Sequence, residues 1–404
     1  MALDPFDLNL RHLRALSAII ARGSMSAAAE AVNLSQPALA QGLRKLEGQL
    51  GTTLFARHSS GASPTAAGLA MAARADAALA HLALAAREAT RRAARTFVRP
   101  ERLMTATQLR AVVALADAGS FSGAASASGI SAPALHRAVR DLEEICGLHI
   151  VDRHGRGVIL TAGGRRLARG VRLAGTEIAA GIAELSADPE DAGTIAIGAM
   201  PLCRALVLPH ALAAFARGTP RAALDVREGS WRELIEPLRD GSIDMAIGAL
   251  RAEPPAGLEQ HPLFEDGLRI VARPGHPLAG VAKPALADLR RFDWIVGQPE
   301  TPLHSHWRAL FTDGPPPPTP IECGSVMVIR GVLGHSDFLT LLSPDQVAME
   351  LATGMLTLIG PPLPHGVRTI GITTRIGWRP TAAQRRFIML LEQAAAVTRL
   401  PKIE

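Results

Sequence analysis

The sequence is poor in several residue types, and two of these shortages exclude kinds of site. It contains no tyrosine, and aromatic residues make up only 3% of it. Its three cysteines, Cys146, Cys203 and Cys323, are widely spaced and form no CxxC motif. This number and spacing exclude a disulfide framework and a zinc site. The lack of tyrosine, and the use of arginine for 40 of the 43 basic residues, fit alanine- and arginine-rich codon usage and indicate no function.

Signals for membranes and export are also missing. No uncharged apolar run reaches the roughly 18–20 residues that a membrane-spanning helix needs. The opening residues MALDPFDLNL carry acidic side chains, whereas a secretory signal begins with a basic segment and continues with an apolar block. We therefore expect a cytoplasmic protein without a membrane partner.

The motifs of common enzymes are absent too. The sequence has no GxSxG elbow, no GxxxxGK phosphate loop, no HExxH, and no GxGxxG after a strand. His304 and His306 flank Ser305, but two histidines without a third ligand do not predict a metal site. We expect a protein that is not an enzyme, with no catalytic residue, no metal and no cofactor.

The charge that is present is unevenly distributed. The 404 residues, 48% of them hydrophobic, predict two or three folded domains. Residues 1–190 hold 22 Lys and Arg against 16 Asp and Glu, whereas residues 191–404 hold 21 of each kind. The N-terminal half therefore carries the whole net charge of +6, which favours an anionic partner such as nucleic acid or a membrane surface.

The basic half contains one module twice. Residues 13–68 match residues 109–164 at a constant offset without a gap, with 24 of 56 pairs identical. Matching segments include Gly-Ser-x-Ser at positions 23 and 119, and Ser-x-Pro-Ala-Leu at positions 35 and 131. Such an internal match indicates two copies of the same structural unit.

Each copy predicts three helices and a hairpin. In the first copy, an amphipathic helix spans residues 10–21, and Ser24 or Ser26 caps a short helix that ends at Val32. Ser35 caps a third helix with Pro37 in its first turn. A hairpin then covers residues 53–65, and its equivalent in the second copy covers residues 149–161.

Three helices followed by a hairpin predict a winged helix-turn-helix, whose third helix enters the major groove of DNA. Two such heads predict double-stranded DNA as a partner, since their outward side chains suit base edges and phosphates. The candidate DNA-binding residues are Ser35, Gln36, Pro37, Gln41, Arg44, Lys45 and Arg57 in the first head, and Ser131, His136, Arg137, Arg140, Arg153 and Arg156 in the second. In the second head, Ala132 stands in place of a glutamine and Asp141 in place of a lysine.

These residues closely resemble the DNA-binding head of LysR-type transcriptional regulators. The resemblance rests on SAAAE from Ser26, SQPAL from Ser35, and LGTTLFAR from Leu50, followed by Thr65 and Gly68. In that family a long linker helix follows the wing and pairs with that of a partner. Residues 65–95 and 161–185 suit this role, the second less cleanly because of its glycines. The sequence departs from the family in having a second head.

The C-terminal half predicts an α/β fold, since short apolar runs alternate with helices from Gly193 onward. DMAIG from Asp244 and VARPGHPL from Val271 resemble the effector-binding half of the same family, which implies two lobes like a periplasmic binding protein. We expect three domains: two α-helical winged heads with linker helices at 1–96 and 97–190, and an α/β effector domain at 191–404. Its first lobe would span about 193–263 and 370–396, and its second about 264–369.

A ligand in such a fold sits at the carboxyl ends of the strands, near helix N-termini. The candidate effector-binding residues are therefore Met200, Pro201, Leu202, Cys203, Ser230, Trp231, Gly248, Ala249, Gln298, His304, Ser325 and Phe338. In the family, the strand-to-helix turn that corresponds to residues 199–203 usually carries a Ser or Thr that touches the effector. In this sequence Cys203 and its neighbours occupy that turn. A small carboxylate or an aromatic acid is the expected effector.

The sequence thus predicts a sequence-specific DNA-binding transcriptional regulator controlled by a small molecule bound between two lobes. A homodimer or homotetramer is expected, with RNA polymerase as a candidate further partner. One chain with two heads could itself imitate the dimeric DNA-binding unit of single-headed relatives. The alternative is a solute receptor or oxidant sensor, the latter using Cys203 and Cys323, in which the second head is an interaction module.

Overall fold

The fold is described from a computed structural model of the chain. It describes residues 3–58, 61–90, 97–155, 157–186, 193–200, 207–299, 301–364 and 366–398. The chain forms two compact units, one of residues 1–193 with 239–242, and one of residues 194–238 with 243–404.

The first unit holds two copies of the same run of elements. Each copy has three helices, a two-stranded antiparallel hairpin and one long helix. The first copy consists of α1 (Leu10–Arg22), α2 (Met25–Ala31), α3 (Gln36–Leu50), β1 (Phe55–His58), β2 (Gly61–Pro64) and α4 (Ala66–Thr90). The second consists of α5 (Ala106–Ala118), α6 (Phe121–Ser128), α7 (Ala132–Cys146), β3 (Val151–His154), β4 (Gly157–Leu160) and α8 (Ala162–Leu185). Short 3₁₀ helices precede the copies at Pro5–Asp7 and Pro100–Arg102.

Local sequence fixes where these helices begin and end. The Ser24 hydroxyl accepts a hydrogen bond from the amide of Ala27 at 3.1 Å, and the Ser35 hydroxyl accepts one from Ala38 at 3.3 Å. Both hydroxyls satisfy amides that the first turn of a helix leaves unpaired. The turn between the second and third helices needs a left-handed residue, which is Asn33 in one copy and Gly129 in the other.

The long helices α4 and α8 pack against each other in an antiparallel pair. A Cβ atom added at Gly170 would lie 2.1 Å from Ala85 Cβ, and one added at Gly181 would lie 2.8 Å from Met71 Sδ. The glycines of α8 therefore sit where the two helix backbones approach most closely, and α8 is continuous through them. Helix α4 is long and apolar enough to cross a membrane by length and composition, but here it packs against α8 within the first unit.

The second unit is an α/β structure with two five-stranded sheets. Its strands are β5 (Thr194–Ala199), β6 (Ala223–Glu228), β7 (Met245–Ala249), β8 (Leu258–Gly267), β9 (Arg269–Ala272), β10 (Trp294–Val296), β11 (Ile321–Glu322), β12 (Leu339–Leu342), β13 (Thr357–Ile359) and β14 (Val367–Arg375). Its helices are α9 (Val207–Gly218), α10 (Trp231–Asp240), α11 (Leu286–Leu289), α12 (Pro302–Ala309), α13 (Val326–Leu333), α14 (Ala348–Ala352) and α15 (Ala382–Thr398).

Each sheet forms the centre of one lobe. The first has the order β6-β5-β7-β14-β8 and the second the order β11-β10-β12-β9-β13. Strands β8 and β14 pair antiparallel along their lengths and carry the chain between the lobes. The predicted fold class, helical heads followed by a two-lobed α/β domain, is confirmed.

Candidate nucleic-acid interface and effector site

The third helix of the first head separates its core side chains from its polar ones. Leu39, Leu43 and Leu46 are buried in the core of the first unit, where the third helix packs against α1 and α2. The candidate contact residues on the other faces of the helix and at its N-terminus are all exposed: Ser35, Gln36, Pro37, Gln41, Arg44 and Lys45. The helix thus presents two amides and two cations to solvent, which can bond base edges and phosphates.

A carboxylate at the end of each third helix holds the wing in place. Glu47 Oε1 accepts hydrogen bonds from the amides of Leu54 at 2.8 Å and Phe55 at 3.2 Å. Glu143 Oε1 makes the equivalent bond to the amide of Ile150 at 2.6 Å in the second head. Glu47 and Glu143 are not among the residues predicted from the sequence, although their recurrence at the repeat offset is a signal for them. The structure does not describe the side chain of Arg57.

The second head presents a different set of side chains. His136, Arg137, Arg140 and Arg153 are exposed, as is Ser131 at the N-cap position of α7. The ring of His136 stacks on that of Phe121, with centroids 3.6 Å apart and planes 16° from parallel. This stack holds His136 at the start of the helix, where its ring edge remains open to a partner. Arg156 lies outside the described residues.

In the effector domain, one group of candidate residues lies at the carboxyl edge of the first sheet. Met200 follows β5, Ser230 and Trp231 follow β6, and Ala249 ends β7; the three strands are parallel. This edge is where the sequence analysis expected a ligand. Pro201, Leu202 and Cys203 lie outside the described residues, and the helix that follows them is described from Val207.

Met200 and Gly248 fill space at this edge. Met200 is buried, and a Cβ atom added at Gly248 would lie 2.6 Å from Met200 Cβ. Gly248 therefore leaves the space that the Met200 side chain occupies. Together Met200 and Gly248 form an apolar surface at the carboxyl edge of the first sheet, called the apolar floor below.

Polar groups stand beside this floor. The Ser230 hydroxyl donates to Glu233 at 2.8 Å, and hydrogen bonds from the Ser230 amide and hydroxyl lower the pKa of the Glu233 carboxyl. The Arg251 guanidinium lies over the Trp231 ring, 5.5 Å from its centroid. Arg251 is not among the predicted effector-binding residues, and its signal in the sequence is its place just after β7.

In the second lobe, two of the four candidates lie at the equivalent edge. Gln298 follows β10 and Ser325 follows β11; both are exposed, and these strands are parallel. His304 lies in α12, with its ring 5.5 Å from that of Trp307. Phe338 precedes β12, so it lies at the opposite edge of the sheet, where it is partly buried and packs against the core. The structure therefore does not bring Phe338 together with the other candidates.

The chain passes between the two lobes at the paired ends of β8 and β14, a crossing that holds a buried ion pair. Arg368 donates to Asp266 through Nε at 2.9 Å, and both residues are buried. This buried ion pair fixes the register of β8 and β14. Because these strands connect the lobes, any movement of one lobe relative to the other must bend or twist them.

Comparison with known proteins identifies the family. The model of the LysR substrate binding domain matches residues 189–396. The model of the bacterial regulatory helix-turn-helix protein, lysR family, matches twice, at residues 10–69 and 106–165. The chain belongs to the LysR family of transcriptional regulators. The predictions of a DNA-binding regulator, of an effector-binding domain and of tandem heads are confirmed.

Relatives differ in how much of the chain they match. The HTH-type transcriptional regulator GalR of Pseudomonas putida is 30% identical over 91% of this chain and 93% of its own length. The SDS degradation transcriptional activation protein of a Pseudomonas species is 33% identical over 71% of this chain and 96% of its own length. The first match is long enough to include both heads.

Solved structures share the fold. A full-length OxyR variant from Pseudomonas aeruginosa has a TM-score of 0.57 at 24% identity, covering 73% of this chain and 95% of that one. Full-length LysG from Corynebacterium glutamicum with bound effector Arg has a TM-score of 0.53 at 22% identity, covering 72% of this chain and 97% of that one.

Proposed function

We propose that this regulator binds duplex DNA through both heads and responds to a small organic acid held between the lobes of its effector domain. The observation that carries the proposal is that both third helices expose a polar face to solvent. Each of these helices is hydrogen-bonded to its own wing by a glutamate, and the heads are followed by a two-lobed domain. The protein would act in the cytoplasm as a homodimer or homotetramer, without catalysing a reaction, and would contact RNA polymerase.

The exposed side chains would contact two different parts of the DNA. Amides at Gln36 and Gln41 suit base edges, whereas Arg153 in the second wing suits phosphates. Phosphate contacts make affinity fall steeply with salt, and base contacts make it depend on sequence.

An electrophoretic mobility-shift assay on genomic fragments tests this function. We expect the full chain to select specific fragments, with Arg44→Ala weakening binding and Arg22→Ala, at an exposed position outside the third helix, leaving the selected fragments unchanged. No binding to any duplex at low salt would contradict the proposal.

The effector class is supported by the carboxyl edge of the first lobe. The Arg251 guanidinium over Trp231 places a cation and an aromatic face side by side, which suits a carboxylate with an aromatic or apolar body. A ligand that binds only the folded protein raises its melting temperature.

Thermal-shift screening of the full chain against aliphatic and aromatic carboxylates tests the effector class. We expect an acid that raises the melting temperature of the wild type, with a smaller shift in Arg251→Gln. Arg232→Gln is the matched control, since Arg232 is exposed one residue beyond Trp231. Neutral amides of the same acids should have no effect, and an equal shift by amide and acid would contradict an anionic effector.

A further inference from the structure

Contacts between the two heads obey an approximate two-fold symmetry within one chain. Arg14 of α1 donates to backbone carbonyls of the second head's 3₁₀ helix, at 3.0 Å for Arg102. Its repeat equivalent, Arg110 of α5, donates to side-chain carboxylates at the first head's 3₁₀ helix, at 2.7 Å for Asp7 and 3.1 Å for Asp4, which precedes that helix. Each head thus donates hydrogen bonds to the segment that precedes the other head.

The linker helices follow the same symmetry. Arg74 of α4 bonds Glu177 of α8 at 2.9 Å and also bonds Glu184. At the repeat offset, Arg74 corresponds to Gly170 and Glu177 to His81; Gly170 lies against the His81 carbonyl, 3.0 Å from a Cβ atom added there. The same contact therefore occurs twice, once as an ion pair and once as a close backbone approach.

This difference favours pairing of α4 with α8 over pairing of like helices. If α8 paired with a second α8, each Glu177 would face a Gly170 in place of Arg74. Glu177 is 8% exposed here, so both carboxylates would be buried without that cation, which is costly. The heads are therefore joined as an unlike pair.

The two third helices present unlike side chains at equivalent positions. Gln36 of the first head corresponds to Ala132 of the second, and Gln41 corresponds to Arg137. Lys45 corresponds to Asp141, which reverses the charge. Glutamine suits adenine and arginine suits guanine in the major groove.

Resting on the proposed function, we infer that one chain is a complete two-headed reader of an asymmetric operator. Two-fold-related recognition helices bind two half-sites, and identical heads require identical half-sites. Here the half-site of the first head carries adenine opposite Gln41, and that of the second carries guanine opposite Arg137. A second copy of the chain is not needed to complete the site.

Selection of binding sites from a random duplex library tests the reading. We expect the full-length wild type to select two unlike half-sites. Gln41→Ala should relax the preference in one half-site and Arg137→Ala in the other, each by about tenfold or more in discrimination. Gln41→Arg should shift the first half-site toward guanine. A palindromic site, or Arg137→Ala weakening all sequences equally, would overturn the inference.

A stoichiometric titration tests whether one chain is enough. With a short duplex that holds one pair of selected half-sites, we expect saturation at one duplex per chain, whatever the oligomeric state. Saturation at one duplex per two chains would overturn the inference, because each chain would then supply one head to a site. Failure to bind any duplex would instead overturn the proposed function, so the two failures are distinguishable.

Discussion

Arg74 of α4 and Glu177 of α8 form a buried ion pair of 2.9 Å between helices that lie about a hundred residues apart in the sequence. The two side chains are 6% and 11% exposed. Because removing one member of such a pair leaves a buried charge behind, this contact makes the antiparallel helix pairing specific.

Replacing Arg74 alone should therefore destabilise the first unit strongly. We expect Arg74→Ala to lower the free energy of unfolding by about 3 kcal/mol. The exposed Arg87, in the last turn of the same helix, provides the control variant Arg87→Ala, which should change little. Urea denaturation gives the size of the effect, and hydrogen exchange in α4 and α8 locates it.

The double variant Arg74→Met with Glu177→Leu separates charge from packing. It should recover most of the lost stability, since apolar residues of similar volume often replace a buried ion pair without net cost. A double variant as unstable as Arg74→Ala would show that the ion pair is not the source of the effect.

The wing of the first head should depend on Glu47. Glu47→Ala removes the acceptor of two backbone amides, which should cost about 2 kcal/mol and loosen the hairpin that carries Arg57. DNA affinity should fall as well, while Glu47→Gln, which keeps one acceptor oxygen, should lose less. Melting temperature and mobility shift measure the two effects.

Glu144→Ala serves as the control for this prediction. Glu144 is exposed and lies next to Glu143, the wing-holding residue of the second head. If Glu144→Ala were as damaging as Glu47→Ala, the effect would come from charge and not from the bonds to the wing.

The heads could be predicted from the sequence almost residue by residue, for local reasons. Ser24 and Ser35 cap helices where their hydroxyls meet unpaired amides, and Gly51 ends the third helix in the left-handed conformation. The repeat shows the same pattern of helix-capping and glycine positions a second time, which makes the pattern easier to recognise. Gly68 and Gly164 recur because a Cβ atom there would lie within about 2 Å of the carbonyl oxygen of Leu54 or Ile150.

Contacts between distant elements were harder to predict. The glycines of α8 suggested a poor helix, yet Gly170 and Gly181 are where α4 approaches it, and no local pattern encodes that partner. In the effector domain, Phe338 was placed with the ligand candidates although it precedes its strand. The order of the strands decides which edge a residue occupies, and this order comes from tertiary structure.

The stability of the first head should fall in mild acid because of His12. Its ring contacts Gly42 of the third helix, and burial, with a smaller effect from Lys45, lowers the pKa of His12 below its ordinary 6.5. In mild acid the folded head therefore binds fewer protons than the unfolded chain. This contribution to stability is fully present above pH 6.5 and is lost as the pH falls from 6.5 through the lower pKa of His12 in the folded head.

His12→Gln tests this directly, since the second head has Gln108 at the equivalent position. The variant should show a shallower loss of melting temperature between pH 7 and 5 than the wild type. His210→Gln, at an exposed position in the other unit, is the control. Equal pH slopes for wild type and His12→Gln would exclude His12 as the source.

The native protein should resist thiol modification at Cys146 but not at Cys323. Cys146 ends the buried stripe of α7, and burial raises the pKa of its thiol to about 12. Because the thiolate is the reactive form, iodoacetamide at pH 8 should label Cys323, which is partly exposed, and leave Cys146 unmodified until urea unfolds the chain. Peptide mapping by mass spectrometry measures both positions, and rapid native labelling of Cys146 would show that the second head opens readily.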